Sequence, residues 1–236
     1  MSSQTPEILL YTNHGCPFAG RVHIALSALD LPYSEEIIPL DKPRTEEYLK
    51  INPRGKVPAI KYNGSLLTES GIIANFLADA HPGLLPSSPI ERARLNFISD
   101  AWGNFALGPF FKIFFAKTEQ DAEAAAKDFV DIVVKEVEPA IIEAKKESGK
   151  DGLWAGGNDN ITIAEVFVGP FLLRLFSYTD AGFAPSSLLS DLEKRAPNFY
   201  AWAQNARTNA HVRAIYNEET IIASIKRRRD DILAKA

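Results

Sequence analysis

The chain carries a single cysteine, Cys16, in 236 residues. One thiol excludes an intrachain disulfide, and it excludes dithiol exchange of the Cys-x-x-Cys kind by the chain alone. Positive charge is not in excess either. Twenty-six Lys and Arg stand against 30 Asp and Glu, a net charge of −4, so neither nucleic acid nor an anionic membrane surface is the expected partner. No apolar run reaches membrane-spanning length, and the stretch 105–115 is interrupted by Lys112. The first residues lack the basic and apolar regions of a secretory signal, so a cytoplasmic location is expected. Glycine-rich phosphate loops and internal repeats are missing. The four histidines are spread along the chain without the spacing of metal ligands, so no metal is expected. Hydrophobic residues make up 46%, which suffices for an ordinary globular core.

What is present centres on the cysteine. Ile8-Leu9-Leu10-Tyr11 reads as a strand, and Phe18, Val22, Ala25, Leu26 and Leu29 then recur at helical spacing. Cys16 lies between the two. Pro17 suits the first helical position, where its missing N–H leaves nothing unpaired. Cys16 is therefore expected at the helix N-cap, with its sulfur near free N–H groups and the positive end of the helix dipole. Such a setting favours the nucleophilic thiolate.

The following segments continue the alternation. A second strand is expected over 33–39, a short helix over 45–51, turn chemistry at Asn52-Pro53-Arg54-Gly55, and a third strand over 57–62. Asn63-Gly64 is a hairpin signal leading to a fourth strand, 65–68, and Glu69-Ser70-Gly71 opens another helix. The order βαβαββα implies a parallel first crossover and an antiparallel hairpin. Three prolines, a glycine and two serines fall within 81–89. This composition suggests an α/β domain over 1–81, a linker over 82–89 and an all-helical domain over 90–236. Helices are expected over 90–117, 120–147, 163–176, 188–208, 209–216 and 218–236. Thr162 and Glu165 form a capping box, with Ile161 and Val166 spaced as its hydrophobic staple.

With no second thiol, Cys16 is limited to monothiol chemistry. It can attack a disulfide or other electrophilic sulfur and form a mixed disulfide, which an outside thiol must resolve. Glutathione is the abundant cellular thiol, and a site for it is visible in pieces. Val57-Pro58 at a strand start suggests a cis-proline that exposes the Val57 backbone to an extended peptide. Glu69-Ser70 at a helix N-terminus suits a γ-glutamyl end. Lys42, Arg44 and Lys56 lie where a glycyl carboxylate could be gripped.

Together these motifs resemble the cytosolic glutathione transferases. Cys16-Pro17-Phe18-Ala19, Asn52 through Pro58, and Glu69-Ser70 look like the glutathione-binding half of the Omega class, on a thioredoxin-like domain followed by a helical bundle. The resemblance implies that Cys16 is the nucleophile, that Phe18 flanks the thiol, that Val57 pairs with the cysteinyl backbone beside cis-Pro58, and that Glu69 and Ser70 hold the γ-glutamyl end. It places the basic glycyl contact near Lys42 or Arg44. It also implies thiol transfer, deglutathionylation or dehydroascorbate-type reduction, with glutathione as co-substrate, a small electrophilic or disulfide substrate and a homodimeric assembly. One departure is Glu165, where transferases usually carry Asp.

Other residues are weighed on their own. The aromatic helix around Phe105, Phe111 and Phe114 is the expected wall of an apolar substrate pocket, with Trp102 and Tyr216 as weaker candidates. Tyr11 reads as a strand aromatic facing inward, His14 as a solvated loop residue, and Lys226-Arg227-Arg228-Arg229 as a solvated helix face. Two rival readings remain open. One is a detoxifying transferase that conjugates glutathione to electrophiles with help from the hydroxyl of Tyr11 or Thr12. The other is a non-catalytic glutathione-binding regulator.

Overall fold

A computed structural model describes residues 5–234; the outermost residues of both expected domains, 1–4 and 235–236, lie outside the described residues. The first half runs β1 (Ile8–Thr12), α1 (Pro17–Ala28), β2 (Ser34–Ile37), α2 (Glu46–Ile51), β3 (Ala59–Tyr62), β4 (Ser65–Thr68) and α3 (Ser70–Ala80). The sheet order is β2-β1-β3-β4. β1 and β2 are parallel, as a crossover through α1 requires, and the other pairs are antiparallel. Asn63 and Gly64 both take positive φ, 48° and 83°, as a tight hairpin between twisted strands demands.

Side chains alternate across β1. Ile8 and Leu10 join Ile60 in a core with Val22 and Leu26 of α1 and Ile73 and Leu77 of α3. Burying one such aliphatic side chain contributes about 1.5–3 kcal/mol. Leu9 and Tyr11 face the other way, into a smaller cluster with Tyr48 of α2, Val57 and Ala59. Cys16 packs at the margin of that smaller cluster.

The second half is helical. α4 (Pro89–Ala101) passes through a π-helical turn, Trp102–Ala106, into α5 (Leu107–Phe114), and α6 (Glu119–Ile132) passes through another, Val133–Val137, into α7 (Glu138–Ser148). Then come α8 (Ile163–Asp180), α9 (Leu188–Arg195), α10 (Pro197–Thr208) and α11 (Glu218–Leu233). The architecture is a four-stranded thioredoxin-like α/β unit followed by an all-helical unit. Among the described residues no helix is long and apolar enough to cross a membrane.

Several helical boundaries differ from the periodicity. The stretches 90–117 and 120–147 are not single regular helices. Each π turn stands just ahead of a proline, Pro109 or Pro139, whose ring and missing N–H disfavour a regular turn there. Pro89 is the first residue of α4, capped by Ser88, rather than the end of a linker. The stretch 188–208 breaks at Ala196, ahead of Pro197. The N-terminus of α10 is served from a distance, because buried Glu138 accepts from the Asn198 and Phe199 N–H groups at 3.1 and 2.7 Å. Residues 209–216 form turns, not a helix. There the Asn209 side chain accepts from the N–H groups of His211 and Val212, a local alternative to helical bonding.

α8 lies at the centre of the molecule, and its N-terminus is closed on all sides. Thr162 Oγ1 accepts from the Ala164 N–H at 3.2 Å, while Glu165 accepts from both the N–H and the hydroxyl of Thr162 at 2.7 Å. The same carboxylate accepts from the Ala155 N–H at 2.8 Å and from the Trp202 indole. The α/β unit rests directly on this helix. Gly20 of α1 approaches Pro170 so closely that an added Cβ would stand 3.2 Å from the ring.

Candidate functional site

A cleft of about 340 Å³ opens in the α/β unit. Cys16, Phe18, Arg44, Lys56, Val57, Pro58, Glu69 and Ser70 all line it, and Leu40, Asn52 and Gly55 complete its wall. Residues from four separate stretches therefore meet at one cavity. Lys42 does not line it. Its backbone carbonyl instead accepts from Arg44 Nη1 at 2.7 Å, and the side chain stays on the exposed outer loop.

The cleft is built from loop ends and helix starts. Cys16 is the N-cap of α1, with φ −87° and ψ 120°, and its side chain caps no helical N–H. Its own N–H donates to the Asn13 carbonyl at 2.9 Å, and its thiol points at the Val57 carbonyl, 3.9 Å away. The Val57-Pro58 peptide bond is cis. Among the described residues the Val57 N–H has no partner. The loop ahead of it is pinned, since the Lys56 carbonyl accepts from the Asn52 amide at 2.7 Å and from the Tyr48 hydroxyl. Arg44 is likewise anchored, donating to the carbonyls of Gly55, Pro39 and Lys42.

Glu69 precedes α3 with φ 68°, a left-handed conformation uncommon outside glycine. It pairs with Arg54 and caps no helical N–H. α2, α4, α6, α8 and α11 are each capped by their own Thr45, Ser88, Thr118, Thr162 or Asn217. The two helices that start at the cleft, α1 and α3, have no such cap; neither do α5, α7, α9 and α10, which start away from it. The free N–H groups and positive dipole ends of α1 and α3 are left for an anionic or polar ligand.

A second, narrow crevice of about 10 Å³ lies on the other side of Cys16. Its far wall comes from Pro170, Leu173 and Arg174 of α8 and from Val212, Ile215 and Tyr216. Phe105, Phe111 and Phe114 line neither cavity, contrary to the expectation from the aromatic helix. Phe114 is fully buried and packs edge-on against Tyr178, with centroids 5.0 Å apart. Phe111 lines a separate groove with Lys112 and Phe115, and Phe105 faces outward on the π turn with 47% exposure. Trp102 is also core, stacked on Phe199. Tyr216 does stand at the crevice.

Two arginines escape a motif-based reading. Arg174 reaches from α8 to the cysteine turn, where Nη2 donates to the Gly15 carbonyl at 3.0 Å and Nη1 to the Pro170 carbonyl at 2.7 Å. Its guanidinium lies 5.5 Å from the Tyr216 ring centre. Arg21 donates to the Phe167 carbonyl at 2.9 Å and to Ser70 Oγ at 3.4 Å, beneath the rings of Phe18, Phe167 and Phe171. Burial lowers Arg21 to about 10, opposed by the charge of Cys16, so it remains a cation at neutral pH. Burial raises the Tyr216 phenol to about 12, opposed by its bond to Ser177 and by Arg174. The signal for both arginines was their isolation within apolar helical runs, since a lone charge there must find a partner.

The inward placement expected of Tyr11 holds, and other expectations are corrected. Tyr11 packs against Tyr48 in the smaller core, and the Thr12 hydroxyl lies 2.7 Å from His23 Nε2, so neither hydroxyl faces the cleft. The basic run near the C-terminus is not simply solvated. Arg229 donates to the Phe114 carbonyl at 2.7 Å, and Arg228 lies over Phe115. The histidines are not all dispersed, because β1–β2 pairing brings His14 and His23 together with Glu35.

Comparison with known proteins agrees with this geometry. The family profile of the glutathione S-transferase N-terminal domain matches residues 10–85. A Caenorhabditis elegans protein named "Probable maleylacetoacetate isomerase" is 31% identical over 177 residues, 73% of this chain and 79% of that protein. "Glutathione S-transferase DHAR2" of Arabidopsis thaliana is 30% identical over 161 residues, 68% of this chain and 67% of that one. Among solved structures, glutathione transferase Omega 2C from Trametes versicolor superposes with a TM-score of 0.73 at 28% identity, covering 95% of this chain and 99% of its own. The chain belongs to the glutathione S-transferase family, a family of enzymes.

Proposed function

We propose that this chain is an Omega-type, glutathione-dependent thiol transferase that works through a mixed disulfide between Cys16 and glutathione. The observation that carries the reading is one cleft holding the chain's only thiol, two uncapped helix starts and, among the described residues, the unpartnered Val57 N–H. In this reading the Val57 N–H and carbonyl pair with the cysteinyl unit of glutathione. Ser70 and the free N–H groups of α3 take the γ-glutamyl carboxylate, and Glu69 takes its amino group. Arg44 and Lys56 receive the glycyl end.

The chemistry then follows in two exchanges. The Cys16 thiolate attacks the glutathione sulfur of a glutathionylated substrate. The old S–S bond breaks, the substrate leaves as a thiolate, and Cys16 holds glutathione as a mixed disulfide. A second glutathione thiolate attacks the bound glutathione sulfur, which releases oxidised glutathione and restores Cys16. Dehydroascorbate-type reduction would end on the same mixed disulfide. The positions of Tyr11 and Thr12 away from the cleft weigh against the conjugating alternative, which needs a hydroxyl at the ligand thiol. The likeness to an Omega structure supports the same choice.

Mass spectrometry after incubation with oxidised glutathione tests this directly. Addition of one glutathione, mapped to Cys16, is expected. A Cys16→Ser protein that still reduces glutathione mixed disulfides at the wild-type rate would refute the thiol-transferase reading and favour conjugation. Tight glutathione binding with no activity in either assay would favour a regulatory binder.

A homodimer and a cytoplasmic setting complete the proposal. Leu66, Ile72, Ile90 and Phe97, on β4, α3 and α4, are large apolar side chains left exposed, Phe97 at 61%. Such residues suit burial in a symmetric interface. Sedimentation equilibrium giving the mass of one chain would remove the dimer. The lone thiol, which needs a reduced thiol partner, fits a reducing compartment.

A further inference from the structure

We infer that His14, His23 and Glu35 form a binding site for a divalent transition-metal ion of the zinc type, beside the cysteine turn. The inference is independent of the glutathione reading. The three residues come from different elements. His14 lies in the turn before Cys16, His23 on α1, and Glu35 on β2, where parallel pairing sets it against Leu10 of β1. One ligand atom from each lies within 4.8 Å of the others. Glu35 Oε2 is 3.0 Å from His14 Nε2 and 4.0 Å from His23 Nε2. Donors bound at about 2.0–2.2 Å to one tetrahedral ion stand roughly 3.3–3.6 Å apart. Shifts of under about 1 Å would therefore seat all three on a common ion.

The surroundings of His23 suit ligation. It is fully buried, yet both ring nitrogens have partners. Nδ1 is 2.8 Å from the Tyr33 hydroxyl. When Nδ1–H donates to that oxygen, the Nε2 lone pair is directed at the Thr12 hydroxyl and the Glu35 carboxylate. An outer oxygen on the far nitrogen fixes the tautomer in known metal sites in the same way. An ion at Nε2 would take the place of the Thr12 hydroxyl, which lies 2.7 Å from that nitrogen. The other two ligands are open to solvent, with side-chain exposures of 45% and 33%, so an ion can arrive without unfolding anything.

Two imidazoles and one carboxylate make a borderline-soft set with room for water in the fourth position. That chemistry selects zinc, cobalt, nickel or copper over magnesium or calcium. Cys16 is not among the ligands, although His14 lines the crevice beside it. An ion would thus tie the cysteine turn to the edge of the sheet without consuming the thiol.

The test uses the untagged full-length chain carrying Cys16→Ser, which removes the only thiol. Titration calorimetry with zinc chloride in a non-coordinating buffer should show one ion per chain. His14→Ala and Glu35→Gln should each weaken binding at least tenfold and abolish the zinc-dependent rise in melting temperature. Cobalt should give the visible spectrum of a four-coordinate nitrogen and oxygen site. Both substituted side chains are partly exposed, so the variants are expected to fold, with circular dichroism as the check. Absence of stoichiometric binding overturns the site, and so does zinc binding that survives both substitutions. In either case His14 and Glu35 make a hydrogen bond and nothing more.

Discussion

Two helix starts in this chain present the same local problem and receive opposite solutions. At α8, Thr162 and Glu165 satisfy each other and also take up the Ala155 N–H and the Trp202 indole. At α1, Cys16 stands in the N-cap position with a side chain that caps nothing. The first start is buried at the centre of the molecule, where an unpaired N–H would cost about 1–3 kcal/mol. The second borders the open cleft, where the free donors cost little and remain available to a ligand. Burial therefore separates a helix end that serves folding from one that can serve chemistry. α3 falls in the second class, since Glu69 leaves its helix uncapped at the same cleft.

The sharpest way to break this contrast is at the closed end. Glu165→Ala leaves four buried donors without their acceptor and should lower unfolding free energy by about 3–5 kcal/mol, read by urea denaturation. Molecules that remain folded should keep normal turnover per mole. A loss under about 1 kcal/mol would mean that the capping network is not a folding device. At the open end the pattern should invert. Cys16→Ser should reduce thiol transfer at least about a hundredfold, near 3 kcal/mol in barrier, while stability changes by less than about 1 kcal/mol.

Acid should distinguish the two regions as well. His23, beside the cysteine turn, titrates near 4 in the fold and near 6.5 when unfolded. Between those values the unfolded chain holds the extra proton, so stability falls as pH drops through the window and is flat above it. The expected contribution is about 2 kcal/mol lost between pH 7 and pH 5. His23→Gln should flatten that part of the profile; an unchanged slope would assign acid sensitivity elsewhere. The smallest effect is expected at Ser70→Ala, about tenfold weaker glutathione binding by calorimetry, with stability nearly intact. Unchanged affinity would exclude the hydroxyl from the γ-glutamyl contact.

Local chemistry is legible in the sequence. The strand, the Cys16-Pro17 turn, the Asn63-Gly64 hairpin and the Thr162–Glu165 box each depend on neighbours within a few residues, and all four occur in the structure. The aromatic wall was not readable. Phe105, Phe111 and Phe114 lie on one helical stretch, and periodicity cannot say whether a given phenylalanine faces core, groove or solvent. The structure sends Phe114 to the core, Phe111 to an outer groove and Phe105 to solvent, and it builds the crevice from α8 and the 209–216 turns instead. Those turns looked helical because the competing acceptor, Asn209, acts through side-chain geometry rather than hydrophobic pattern.

By itself the sequence determined which chemistry was possible. A single thiol cannot form an intrachain pair, and a Cys-Pro step at a helix start brings no side-chain oxygen of its own to cap the first donors. Only the tertiary structure decided what surrounds that thiol. Arg174 lies 159 residues from Gly15, whose carbonyl it binds. Glu35 meets His14 and His23 only because β2 pairs in register with β1. The physical reason is the range of the interactions. Capping and turn bonds are set within a few residues of chain, whereas burial and long-range polar contacts exist only after the whole core has packed.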